Sequence, residues 1–439
     1  MELVELPPEL LQRILELYVK NVGIIEAWGT RGTCRTFRSY IDYEVLSRPH
    51  LNTYLSSKAG RTILKKNMVG YVFHRSNNPT TFARDLVPKF IRAIMNELAI
   101  ATGNESEGAA QSIRHTLCKV LVKYYKWTYF ALTTIPSTAL GISKLQHITI
   151  DNVPNRVAAA AAAGNLQAIR TFAEEDRSSI WGKSVAFGYP LVAATYAGHF
   201  HVVKAFVIQF ITDLELDRLL AWQTERKPFS VAIRVAIQRQ YSQILQYLVE
   251  KYVEAFGTAS QRCMEKWLKA AVRTGRPEYV RLIVALRHHC SLLCIYDAFE
   301  LSCKLNHPQV SRVFFEGNTL EVNEMLYHDF PIGTAFEYGS LSVIKELLDL
   351  GANPDGPRYI GDGNRPLCEA LYEEETEICC LLLEKGANID LVQPMINSKK
   401  DFIEKSPKLR ELVKKADECR GPKLPLRVDG GLFASDDTA

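Results

Sequence analysis

From Ala160 to Leu382 the pattern of apolar and polar positions returns seven times to one register. Its fixed point is a turn position, held in order by Gly164, Gly198, Gln240, Gly275, Asn306, Gly339 and Glu374. Four residues before each turn stands a small side chain: Ala160, Ala194, Ala236, Ala271, Ser302, Ala335 or Ala370. Eight residues after it stands a large apolar one: Phe172, Phe206, Leu248, Ile283, Phe314, Leu347 or Leu382. The positions four and five beyond the turn are mostly apolar as well, as in Val202-Val203 and Val343-Ile344. Positions four, five and eight share one helix face, so an amphipathic helix follows each turn. The small residue lets the preceding helix approach its neighbour closely. Successive turns lie 34, 42, 35, 31, 33 and 35 residues apart. Such a period predicts a stacked array of helix–turn–helix units, each unable to bury its own apolar face alone.

The clearest copies carry more than the register. The second reads Pro190-Leu191 and Ala194, then Ala197-Gly198-His199 and Val202-Val203. The sixth ends Glu346-Leu347-Leu348-Asp349-Leu350-Gly351-Ala352-Asn353-Pro354-Asp355. The seventh has Pro366-Leu367 and Ala370, then Leu381-Leu382-Leu383-Glu384-Lys385-Gly386-Ala387-Asn388-Ile389-Asp390. Proline at a first helical position gives up an N–H that would be unpaired anyway. Gly351 and Gly386 stand where a helix must stop and φ turn positive. These residues resemble ankyrin repeats over roughly residues 155–391, with the first, third, fourth and fifth copies degenerate. The resemblance implies an all-α repeat solenoid that binds other proteins through its hairpin tips and first-helix face. Tyr359 and Ile360, between repeats six and seven, are the expected target contact. The family's histidine after the Pro-Leu pair is missing, its slots holding Val192, Ser230, Gly333 and Cys368. Part of the hydrogen-bond ladder between turns is therefore expected to be lost. Pro228-Phe229 lies farther from Gln240 than Pro190-Leu191 does from Gly198, so repeat three should gain about one helical turn.

The chain opens on a second pattern. In Leu6-Pro7-Pro8-Glu9-Leu10-Leu11-Gln12-Arg13-Ile14-Leu15 the prolines stiffen a helix entry and Glu9 suits the helix's positive end. Leu10, Leu11, Ile14 and Leu15 supply its apolar stripe. Thr33-Cys34-Arg35-Thr36-Phe37 follows, then Tyr40-Ile41 and Val45-Leu46, with Ile24, Ile25 and Trp28 between the two clusters. This segment is similar to the F-box. That resemblance implies docking on the small adaptor subunit of cullin–RING ubiquitin ligases through Leu6, Pro7, Leu10, Leu11 and Ile14. An F-box before a repeat array is the arrangement of a substrate receptor, of a kind common in fungi. The same leucines could instead be core that caps the first array helices, because periodicity does not separate exposed stripes from buried ones.

Charge changes this picture only locally. The net formal charge is +4, too small to imply nucleic acid. Residues 51–150 hold 13 Lys/Arg against 4 Asp/Glu, a net +9; residues 319–390 hold 4 against 15, a net −11. A basic middle and an acidic end can attract different partners. Residues 85–101 and 111–132 carry helical stripes separated by Thr102–Gly108. The aromatics Tyr124, Tyr125, Trp127, Tyr129 and Phe130 read as core. The first residues lack the basic start and apolar run of a secretory leader, and no uncharged apolar run reaches membrane length. Ten cysteines without a leader read as reduced thiols, which places the chain in the cytoplasm or nucleus.

No phosphate loop, nucleophile elbow or His-Glu-x-x-His motif is present. Cys290, Cys294, Cys303 and His307 do not have the paired spacing of a zinc site. Cys379 and Cys380 read as small hydrophobes, and His199 and His201 as contacts at a helix end. The expected organisation is therefore an F-box-like helical segment at 1–50, a helical linker at 51–154 and about seven repeats at 155–391. Capping helices at 392–420 and a disordered tail at 421–439 complete it. The chain is expected to be a monomeric adaptor, not an enzyme, with no catalytic residues, metal or cofactor. Its expected partners are the ligase adaptor subunit and a protein target, with neither nucleic acid nor membrane.

Overall fold

A computed structural model describes residues 6–77, 86–103, 106–124, 148–215, 222–286, 291–325, 330–356 and 365–418. Among these residues every regular element is helical, apart from one isolated bridge between Ser184 and Gly188. Contacts divide the chain into two units, Met1–Gly257 and Thr258–Ala439.

The first unit begins with α1 (Pro8–Val22), α2 (Ile24–Thr30), α3 (Arg35–Ser47), α4 (Leu51–Leu55), α5 (Lys58–Lys66) and α6 (Met68–Asn77). Two longer helices follow, α7 (Leu86–Thr102) and α8 (Glu107–Tyr124); α7 matches the first expected stripe, whereas α8 starts four residues before the second, and residues 125–132 of that stripe lie outside the described residues. Three pairs come next: α9 (Val153–Ala163) with α10 (Leu166–Glu175), α11 (Pro190–Ala197) with α12 (Phe200–Glu215), and α13 (Trp222–Arg239) with α14 (Ser242–Phe256). The first helices α9, α11 and α13 pack side by side, and α7 and α8 cover the open face of the first pair.

The second unit holds four more pairs. They are α15 (Gln261–Val272) with α16 (Pro277–Val284), α17 (Leu292–Lys304) with α18 (Pro308–Val313), α19 (Pro331–Glu337) with α20 (Leu341–Asp349), and α21 (Pro366–Tyr372) with α22 (Thr376–Glu384). First helix packs on first helix and second on second from α15 through α22. Three short helices end the described chain: α23 (Gln393–Ser398), α24 (Lys400–Lys405) and α25 (Pro407–Glu418), the last lying on α22.

The register read from the sequence is the register of the helices. All seven turn residues have positive φ, from 51° at Asn306 to 86° at Gly198. Gln240, Asn306 and Glu374 are the described non-glycine residues with positive φ, and all three are turn residues of this register. All seven small residues and all seven large apolar residues are buried. The turn also explains why the small residue stands four positions earlier. In six pairs its carbonyl accepts the amide of the residue just past the turn at 2.9–3.1 Å, as in Asn165 to Ala160 and Glu375 to Ala370. That bond closes the helix end only when the intervening residue is left-handed. Gly351 and Gly386 end the second helices of pairs six and seven at φ 93° and 89°.

Pair three departs from the pattern further than its long spacing predicts, by ten residues in its first helix where about one turn was expected. Its first helix runs 18 residues, against 8 in pair two, and carries Pro228 inside it. Phe229 is fully buried and meets Phe256 edge-on.

Candidate protein-interaction surfaces

Helix α1 is apolar on two sides. Leu11, Leu15 and Val19 face inward, and α1 packs on α2 and α3. Glu16 and the buried Glu44 both hold Arg48, at 2.7 and 2.9 Å, and lock α1 to α3. The Arg13 hydrogen bond, with Arg48 beside it, holds the Glu16 carboxyl below its usual range, whereas burial pushes Glu44 up. The Cys-Arg-x-Phe cluster has a local purpose: the Cys34 sulfur caps α3 by accepting the Phe37 amide at 3.3 Å.

The other side of α1 faces outward. Pro7, Leu10, Ile14 and Leu17 follow one another at steps of three or four residues, and all are exposed. Ile25 on α2 is exposed as well. Leu10 is 55% exposed and its neighbour Leu11 only 3%. Of the five residues expected to dock an adaptor, Pro7, Leu10 and Ile14 are therefore exposed together, and Leu6 is half-buried. Leu11 needs correction, because its side chain is spent on the core. Leu17 was not named from the sequence, and Ile25 only as an apolar position between the two clusters. The spacing of Leu17 from Leu10 and Ile14 was the available signal.

On the pairs, neighbouring turns are tied by side chains, among them His199 and His201, which were expected as contacts at a helix end. His199 donates from Nε2 to the Ala162 carbonyl at 3.0 Å, and His201 to the Gly164 carbonyl at 2.9 Å. Burial holds the His199 ring below its ordinary pKa. In the second unit Ser340 donates to the Cys303 carbonyl. His307 lies against Gly275, as Tyr241 lies against Gly198 in the first unit. One residue past four of the seven turns, His199, Tyr241, His307 and Ser340 thus reach the preceding turn, His199 and Ser340 by a hydrogen bond to a backbone carbonyl. Cys294 and Cys303 are buried in α17, and burial pushes the Cys303 thiol up. Cys379 is buried too, its thiol raised to about 12. Among the described residues no three His, Cys, Asp or Glu side chains converge as a metal site, and no helix is long and apolar enough to cross a membrane.

The tips of pairs five to seven are joined by amide and carboxylate side chains. Asn323 donates to the Gly351 carbonyl at 3.0 Å and accepts the Asn353 amide at 2.8 Å. Asp355 accepts the Asn388 amide at 2.6 Å. The Asn-Pro-Asp and Asn-Ile-Asp sequences therefore brace successive tips. Tyr359 and Ile360, the expected target contact, lie outside the described residues.

The first-helix face of the second unit carries a groove of about 540 Å³. Gly333, Phe336 and Glu337 of α19 form one wall, and Cys368, Glu369 and Tyr372 of α21, with Glu373 just past its end, the other. Met395 of α23 closes one end. Gly333 and Cys368, two of the slots where the ankyrin resemblance would put a histidine, both line this groove. Beside the groove, the Lys399 ammonium bonds the Tyr372 carbonyl at 3.1 Å and Glu374 at 2.9 Å, 5.6 Å from the Tyr372 ring centre.

Comparison with known proteins agrees with this architecture. No family model matches the chain. Over 245 residues, 54% of its length, the chain is 24% identical to the ankyrin repeat domain-containing protein SAT10 of Stachybotrys chartarum. That stretch spans 12% of the relative's own length. The relative supports an ankyrin-type reading of the helix pairs, and with it a general role in binding other proteins.

Proposed function

We propose that this chain is a non-enzymatic adaptor, the substrate-recognition subunit of an SCF-type cullin–RING ubiquitin ligase. Helices α1–α3 dock on the ligase's small adaptor subunit, and the helix pairs select a protein target. Ligation chemistry then belongs to other subunits, and the chain works as a monomer in the cytoplasm or nucleus. One observation carries this reading: α1 exposes the stripe Pro7, Leu10, Ile14 and Leu17 although its fold already uses the opposite stripe. Large apolar side chains lined up on one exposed face favour an interface over scattered surface residues. The hairpin tips, with Tyr359 and Ile360, and the first-helix face supply the target contacts.

Titrating purified adaptor subunit against the whole chain tests the proposal. Truncating one well-packed anchor costs about 1–3 kcal/mol of binding. Leu10→Ala with Ile14→Ala should therefore weaken the complex by more than about tenfold. A parent chain that does not bind the adaptor would overturn the ubiquitin link. The second reading would then hold, a scaffold or binding protein of ankyrin type without ubiquitin ligation. It is favoured by the inner stripe of α1, which makes the N-terminal helices an integral part of the first unit.

A further inference from the structure

The groove between α19 and α21 has the chemistry of a recognition site for one kind of partner. Its floor and walls are apolar or aromatic, from Phe336, Cys368, Tyr372 and Met395. Its rim carries the carboxylates Glu337, Glu369 and Glu373, with Glu337 and Glu373 exposed. Tyr372, at 65% exposed, stands over the opening. The surrounding stretch, residues 319–390, is net −11, which adds to the negative charge of the rim. The chain also shows what such an edge accepts. Lys399 places its ammonium on the Tyr372 carbonyl and Glu374, within cation–π range of the Tyr372 ring.

We propose that this groove binds a short amphipathic segment of a protein target, with aliphatic side chains on Phe336 and Met395 and lysine or arginine on the rim. This rests on the adaptor reading above and names the chemistry of the target that the array selects. Carboxylates left exposed on an aromatic-walled groove favour cationic side chains and repel acidic ones. The attraction is between partly solvated charges, so it weakens as salt rises. The apolar floor makes binding depend on more than charge.

The test uses the whole chain and a fluorescent peptide of alternating leucines and lysines. Two control peptides replace either every lysine by glutamate or every leucine by serine. The leucine–lysine peptide should bind and both controls should fail. Glu337→Gln, Glu369→Gln and Glu373→Gln together should weaken it by about tenfold or more. Tyr372→Ala alone should also weaken it, and as an exposed side chain its loss leaves the melting temperature of the chain unchanged. No binding by the parent, or binding unchanged in both variants, would overturn the proposal. So would an equal loss from Glu174→Gln, Glu250→Gln and Glu321→Gln, which would show that long-range attraction alone is at work. Failure here with adaptor binding intact removes the groove and keeps the adaptor reading. Groove binding without adaptor binding does the reverse.

Discussion

Helix α1 and the second helices of the seven pairs are written in the same kind of sequence, yet the molecule spends their apolar residues differently. In α20, Val343, Ile344, Leu347 and Leu348 are all buried, against α19, α18 and α22. In α1 the inner stripe is consumed in the same way, while Leu10, Ile14 and Leu17 stay outside. Helix α20 has neighbours before and behind it, so its apolar face is matched by stacking. Helix α1 has more apolar surface than its neighbours cover. What the fold leaves over is the place to look for a partner.

The largest expected effect tests the consumed side of this comparison. Ala335 is fully buried where α19 meets its neighbours, so Ala335→Asp places an unpartnered carboxylate there. Loss of several kcal/mol is expected, read as a clear fall in the melting temperature. A change within measurement error would mean that the small-residue column is not a packing position.

A smaller loss is expected at the turns. Gly164 has φ 80°, and a Cβ built there would lie 2.7 Å from the His199 ring, the ring that bonds Ala162. Gly164→Ala should cost about 1–2 kcal/mol from the backbone alone, with more from displacing the ring. Urea unfolding measures it, and His199→Ala in the same background should recover part of the loss. Non-glycine turns predict the opposite sign. Asn306 holds φ 51° with an exposed side chain attached, so Asn306→Gly should leave stability unchanged or raise it by up to about 1 kcal/mol. A marked destabilisation would show that the side chain of Asn306 contributes more than its backbone costs.

These contrasts also show what the sequence could disclose. The seven turns were legible because one left-handed residue, one small residue and one large apolar residue recur at fixed offsets, even where Gln240, Asn306 and Glu374 replace glycine. Helix α1 was legible as a helix, but its two stripes were not separable. Leu10 and Leu11 differ only by a rotation of 100° around the axis, and neighbours in space decide which one is covered. His199 and His201 were read only as helix-end contacts without their partners, and Ser340 was not read at all, for a similar reason. Each partner is a backbone carbonyl of the preceding pair, 37 residues away for all three bonds, and a carbonyl has no letter in the sequence. The groove between α19 and α21 was half legible: Gly333 and Cys368 were noted as replacements for a histidine, though not as the lining of a groove.

The most direct test of the account puts the two stripes of α1 through the same pair of measurements. One double variant removes the outer stripe, Leu10→Ala with Ile14→Ala, and the other the inner stripe, Leu11→Ala with Leu15→Ala. Each is assayed for binding to the ligase adaptor subunit and for thermal unfolding. The outer variant should melt within about 1 kcal/mol of the parent and lose most of its adaptor binding. The inner variant should lose several kcal/mol of stability, at about 2–5 kcal/mol for each buried leucine. An outer variant that unfolds early, from a parent that binds no adaptor, would contradict the claim that this stripe is a docking face.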